Sequence, residues 1–298
     1  MSAQITGTEA ALLLAVQDFR LCRSLAAAAL TLFLYDNLLT IPDEINFMWG
    51  SQWNRGRFLY TIARYLPMAN VILDNIILWL VKPNKPVCNF LFSWYAYTTV
   101  ITQIVIGIIL ILRLSALYET HIYNWILTKA LFVLLFLGTV VTVVMASLTV
   151  PGLEIAPETP HIQACIPLNF KSYSWVSYLS GTVLESVLFF LAIGKTIDVV
   201  LSKDSRLAIR SGLMFTLLRD SIVSYGGIFA FLLANMLIWA IGRQSLRAAL
   251  PVAVPTVQSI IGCRMMLNMY EVAHRKRQSA DAMDMELLPT CHELVGVT

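Results

Sequence analysis

Residues Ala26–Ile41 read AAAALTLFLYDNLLTI, an almost wholly apolar stretch that nevertheless carries Asp36. A carboxylate at the centre of a membrane helix costs about 2.5–3.5 kcal/mol on insertion scales. Its presence asks what solvent surrounds it and what partner keeps it. The whole chain answers the first question. Of 298 residues, 58% are hydrophobic and 13% charged, with a mean hydropathy of +0.71. Globular domains run at roughly 45–50% apolar and about 25% charged. The excess falls into long apolar runs, each near the ~20 residues that cross a bilayer as a helix. Strands of a membrane barrel would instead alternate over about ten residues. The expected fold is therefore all-α and polytopic.

Seven spans can be drawn: Leu25–Ile41, Phe58–Val81, Asn89–Leu112, Trp125–Leu148, Tyr173–Gly194, Asp220–Ile241 and Ala248–Asn268. Together they predict a seven-helix membrane domain over residues 1–270 and a polar, irregular tail over 271–298. The start of the chain, with Asp18, Arg20 and Arg23 ahead of the first apolar run, reads as a retained first helix rather than a cleaved signal. Lys and Arg placement sets the orientation. With the N-terminus outside, Arg55, Arg57, Lys203, Arg206, Arg210 and the run His274–Arg277 fall on the cytoplasmic side, the more basic of the two. Trp79, Trp94, Trp175 and Trp239 then mark the outer interface, and Trp49, Trp53 and Trp125 the inner one.

In that topology Cys88 and Cys165 both face the oxidising side, where a disulfide is permitted. The bridge would tie the long loop between the fourth and fifth helices over the bundle mouth; the alternative is two thiols. Cys263 reads as a packing residue, and Cys291 as an isolated tail cysteine. Seven helices with such a bridge look like the architecture of G-protein-coupled receptors, a likeness of fold and not of function. The third helix lacks an Asp-Arg-Tyr triplet, since Leu112 and Leu114 flank Arg113.

Two polar sets follow from depth. Asp36 sits about 7 Å and Arg64 about 10 Å from the inner ends of adjacent antiparallel helices, at 1.5 Å per residue. They are expected to form a buried ion pair. Arg113, Arg219, Asp220 and Arg264 gather near the same level, so a charged inner layer is expected, either a switch between two packings or a static set of pairs. Nearer the midplane and outer half lie Asp74, Gln103, Glu185 and Gln258. Intramembrane acids are functional candidates, for a cationic ligand or a proton relay; interhelical hydrogen bonding is the plainer reading. Pro67, Gly226–Gly227, Pro251 and Pro255 offer places for helices to bend.

No HExxH, CxxC pair, GxSxG or P-loop occurs, and the four histidines fall in loops and tail. Metal-dependent and serine hydrolases and nucleotide-driven enzymes are unsupported. No enzyme activity, cofactor or metal is expected. The basic residues form no stripe of the kind that binds nucleic acid.

The stretch LYDNLLTIPDEINFMW and the following RFLYTIARYLP resemble a fungal, mostly basidiomycete, family of multi-pass membrane proteins defined as a domain of unknown function. Its pattern is matched by Tyr35, Asp36, Leu39, Thr40, Glu44, Trp49, Arg64, Tyr65, Leu66 and Pro67, within a motif region of about 25–75. LRLSALYE, LLRDSIVSY and CRMMLNMYE are similar to later parts of the family. The resemblance implies no reaction, ligand or partner. The functional expectation is a seven-helix, receptor-like protein of the plasma membrane that senses a small ligand, with a cytoplasmic protein partner at the inner loop and tail. A small-solute or proton transporter and a scaffolding protein are the alternatives.

Overall fold

The computed structural model describes residues 2–49, 53–80, 85–118, 121–149, 173–201, 205–243, 247 and 251–293. Among these the regular structure is entirely helical. The α-helices are α1 (Ser2–Glu44), α2 (Arg55–Leu80), α3 (Lys85–Leu117), α4 (His121–Thr149), α5 (Val176–Leu201), α6 (Ser205–Ile241) and α7 (Ala253–Glu293).

Contacts between side chains fix the direction of each helix. Asn75 donates to the Ala26 carbonyl (3.0 Å) and Arg64 to that of Asn37 (3.2 Å), so α1 and α2 are antiparallel. Ser259 meets Ala63 and Tyr270 meets Asn54, so α7 runs against α2, and α3, parallel to α7 through Tyr95–Pro251 and Arg113–Met265, does the same. Thr142 meets the Ser177 carbonyl and Ser180 while Gly138 packs on Ser180, which turns α5 against α4. Tyr178 stacks near Trp239 and Phe189 on Phe229, which turns α6 against α5. Finally, α7 runs parallel to α1 and α3, through Asp36–Arg264, Phe47–His274 and Arg113–Met265. Helix α7 packs against α1, α2, α3 and α6, whereas α4 touches α3 and α5.

Among the described residues five helices are long and apolar enough to cross a membrane: Val16–Trp49, Pro86–Leu117, Asn124–Leu148, Val176–Asp198 and Ser221–Ile241. Helix α4 is the most apolar of them and the least buried. Phe136, Leu137, Val140 and Val144 lie exposed along it. An apolar surface of that extent is unstable in water and natural in lipid. Helices α2 and α7 are not among the five. They carry Arg64, Asn70 and Asn75, and Gln258 and Ser259, all buried, because their neighbours are helices rather than hydrocarbon. Hydroxyls are satisfied within their own helices: Thr31 bonds the Ala27 carbonyl and Thr139 that of Leu135, each at 2.8 Å. This is how a hydroxyl is accommodated without water. The chain is an all-helical membrane protein.

Several sequence boundaries shift. α1 does not stop at Ile41. Pro42 lacks an N–H and crowds the preceding turn, yet the chain absorbs it and continues through a π-helical turn, Ile45–Trp49. α6 starts at Ser205, so Arg219 and Asp220 lie inside it rather than opening it. Arg113 likewise lies inside α3, one turn before its end, rather than closing it. α7 continues to Glu293, through most of the polar tail drawn from 271. Pro255 occupies its first turn, where a missing N–H is harmless. Gly226 of α6 lies against the Phe189 ring, 3.1 Å from where a Cβ would stand. It serves close packing inside an unbroken helix instead of a bend.

A photoreactive carbene probe dissolved in the bilayer is expected to label α4 most heavily, and α2 and α7 several-fold less. Equal labelling of the seven helices, read by mass spectrometry, would contradict this packing.

Candidate functional site

One stripe of α1 faces the bundle: Ala26, Ala29, Phe33, Asp36, Thr40, Glu44 and Met48 are all buried. Their spacing of three and four is that of one helix face. The π-helical turn keeps Met48 on it and brings Trp49 back over Glu44.

The expected Asp36–Arg64 pair is not formed. Arg64 instead pairs with Glu44, Nε to Oε2 at 3.0 Å, with both side chains buried. Its Nη1 donates to the Tyr60 hydroxyl at 2.7 Å and its Nη2 to the Asn37 carbonyl at 3.2 Å. Glu44 Oε1 accepts from the Tyr65 hydroxyl (2.8 Å) and from Trp49 Nε1 (3.2 Å). The reason is length. Ending α1 at Pro42 leaves Asp36 as the acid at the right depth, whereas the continued helix presents a second acid two turns further on the same stripe. The guanidinium and carboxylate fill each other's bonding positions, the condition under which a buried pair is tolerated.

Asp36 turns to α7. Its Oδ1 lies 2.5 Å from Arg264 Nε, and this pair is unevenly protected: the Asp36 side chain is 6% exposed and that of Arg264 53%. Nearby, Ser259 of α7 donates to the Ala63 carbonyl of α2 at 2.6 Å. Arg113 of α3 reaches the Met265 carbonyl at 3.4 Å. Asn54 caps α2 by accepting from the Arg57 amide (2.8 Å), and the same oxygen accepts from the Tyr270 hydroxyl of α7 (3.1 Å). Of the six residues expected in a charged layer, Asp36 and Arg264 pair with each other, Arg64 takes Glu44 instead, and Arg113 reaches a carbonyl. The side chains of Arg219 and Asp220 lie outside the described residues. Glu44 and Tyr60 were missed as partners. Glu44 had a signal, its position eight residues after Asp36 on one helix face.

The outer set is dispersed. Among the described residues no hydrogen bond or ion pair joins any two of Asp74, Gln103, Glu185 and Gln258. Asp74 lies within electrostatic range of Tyr95, whose hydroxyl bonds the Pro251 carbonyl ahead of α7. Glu185 lies within range of Tyr225, which donates to the Leu110 carbonyl at 2.9 Å. Gln103 lies over Gly181, where even a Cβ would collide with its amide. Gln258 is buried in α7. A crevice between α3, α4 and α5, lined by Gln103, Gly138, Thr142, Ser180, Gly181 and Leu184, has room for little more than one water. At the outer end Arg23 donates to the Leu78 carbonyl, capping α2, and covers the Phe19 and Trp79 rings. Cys88 is fully buried in the first turns of α3. Cys165 lies outside the described residues.

Residues 24–69 match the model of a family described as a family of unknown function (DUF6533). No curated protein matches the chain. The matched segment runs from the start of the α1 stripe to just past Pro67. It contains every side chain of the Arg64–Glu44 cluster, so the matched segment coincides with a self-contained α1–α2 clamp.

Removing either member of the pair is expected to destabilise the protein in mild detergent by about 3–5 kcal/mol, the cost of leaving a buried charge alone. Arg64→Gln and Glu44→Gln should couple by about 1–3 kcal/mol in a double-mutant cycle, and Arg64→Gln with Asp36→Asn by distinctly less. Stronger coupling of Arg64 to Asp36 than to Glu44, measured by denaturant titration, would refute this pairing.

Proposed function

We propose that the chain is a non-enzymatic, seven-helix, receptor-like protein of the plasma membrane, with its N-terminus outside and its C-terminus inside. In this reading the Asp36–Arg264 pair is a latch between α1 and α7. One observation carries it: two ion pairs on one face of α1, two turns apart, differ sharply in protection. Arg64 is enclosed at 3% exposure while Arg264 is half open at 53%. A closed pair holds α1 on α2 in one arrangement. In the half-open pair the exposed Arg264 guanidinium can take another partner, and the buried Asp36 carboxylate it leaves behind sets the cost of opening. The latch lies beside the long inner extension of α7, which with the basic inner loop forms the surface for a cytoplasmic protein partner.

A small ligand at the outer half would act on α7 through α3, since Tyr95 bonds the Pro251 carbonyl beside Asp74. Cys88 pairs with Cys165 in this reading and straps the outer loop across the bundle. The likeness to a fungal family is taken to extend beyond the matched segment. A scaffolding role is the second reading, favoured by the water-sized crevice between α3, α4 and α5.

Spin labels on Asp43→Cys and Asn268→Cys, with the tail Cys291 replaced by Ser, report the α1–α7 distance in nanodiscs. Two populations are expected, with Arg264→Gln moving the balance toward the longer distance. A single distance unchanged by the substitution would favour the scaffold. For the bridge, Cys88 in the protein denatured without reductant should react with maleimide only after Cys165→Ser; a Cys88 that reacts equally in the unsubstituted chain would rule the pairing out.

A further inference from the structure

Helices α5 and α6 are locked at two levels, by Tyr178 against Trp239 (ring centroids 5.0 Å apart) and by Phe189 against Phe229 (5.6 Å). Between these contacts each helix presents one stripe at helical spacing. On α5 it is Tyr178, Thr182, Glu185 and Phe189; on α6 it is Ile228, Leu232, Asn235 and Trp239. The antiparallel register sets Asn235 level with Thr182. Glu185 is therefore one turn away, an axial offset of about 4.5 Å at 1.5 Å per residue. Asn235 is 0% exposed and Glu185 2%. Both polar atoms of the Asn235 amide, and Glu185 Oε2, lack a hydrogen-bond partner among the described residues. The nearest hydroxyl in register does not serve them, because Thr182 Oγ1 is turned to its own helix, 2.9 Å from the Tyr178 carbonyl.

A buried amide with donor and acceptor both unmet is rare, because each unmet group carries its full desolvation cost. Glu185 Oε2 is in the same condition, about one turn away along the adjoining helix. Together the two side chains offer one amide NH2 group and two oxygen acceptors. Water complements this set, since it donates twice, accepts, and is held in protein interiors by two to four such groups. We propose that Glu185 and Asn235 hold bound water in the α5–α6 seam. The site is built from one residue that the sequence singled out and one that it did not. It is separate from the inner charge layer and from the latch, so it stands or falls independently of the receptor reading.

Brief X-ray radiolysis of the protein in nanodiscs converts bound water to hydroxyl radicals, which oxidise the side chains beside it. Oxidation of Tyr178 is expected in the unsubstituted protein, and in a Glu185→Leu/Asn235→Leu protein it should fall several-fold while size-exclusion and circular-dichroism profiles are retained. If the double variant does not fold, Asn235→Leu alone is expected to lower the oxidation of Tyr178 at least twofold. Oxidation of Tyr178 that survives the substitutions in a folded variant would overturn the proposal.

Discussion

The arrangement rests on the buried Arg64–Glu44 pair. Its two charges meet the fullest set of partners of any ion pair among the described residues. Each group is met by others from α1, the π-helical turn and α2, so the pair fixes the register of the first two helices and the direction in which the chain re-enters the bundle. Once α1 and α2 are set, α7 is positioned by Asp36, Ser259 and Tyr270 against surfaces those helices already present. The hydrophobic effect places the helices in the membrane; polar contacts choose how they are ordered within it.

That division of labour explains which helices look like membrane spans. α4 has lipid on most of its surface and is accordingly apolar throughout. α2 and α7 each pack on several helices, and they bury Arg64, Asn70, Asn75 and Ser259 against those neighbours. Hydropathy alone therefore recognises the periphery of this bundle better than its centre. The same logic connects the two ion pairs. Both sit on one α1 stripe, but the one nearer the chain's re-entry is enclosed on every side, while the other opens toward the end of α7.

Much of the fold was legible because a bilayer constrains composition so tightly. The helical class followed from run length, and the motif residues Asp36, Glu44, Trp49, Arg64 and Tyr65 all take part in contacts at the inner layer. Pairing was less legible. Asp36 and Arg64 match in depth, yet depth ignores how far α1 continues, and Pro42 gave a false stop. A proline's missing N–H is a local cost that the π-helical turn offsets by bringing Trp49 onto Glu44. The start of α6 was hidden for a related reason. Arg206, Arg210 and Arg219 interrupt the apolar run without interrupting the helix. Asn235 was not singled out because one amide in an apolar helix has no periodic signature, and only the facing helix gives it meaning.

The enclosed pair, and not apolar packing alone, holds the end of α1 onto α2. Hydrogen–deuterium exchange of the intact protein in nanodiscs tests it most directly, comparing the natural chain with an Arg64→Met/Glu44→Leu form that keeps volume and removes both charges. Faster exchange is expected, confined to Ile45–Trp49 and the third turn of α2, since Trp49 and Tyr65 lose their shared acceptor. Unchanged protection of that turn would contradict it.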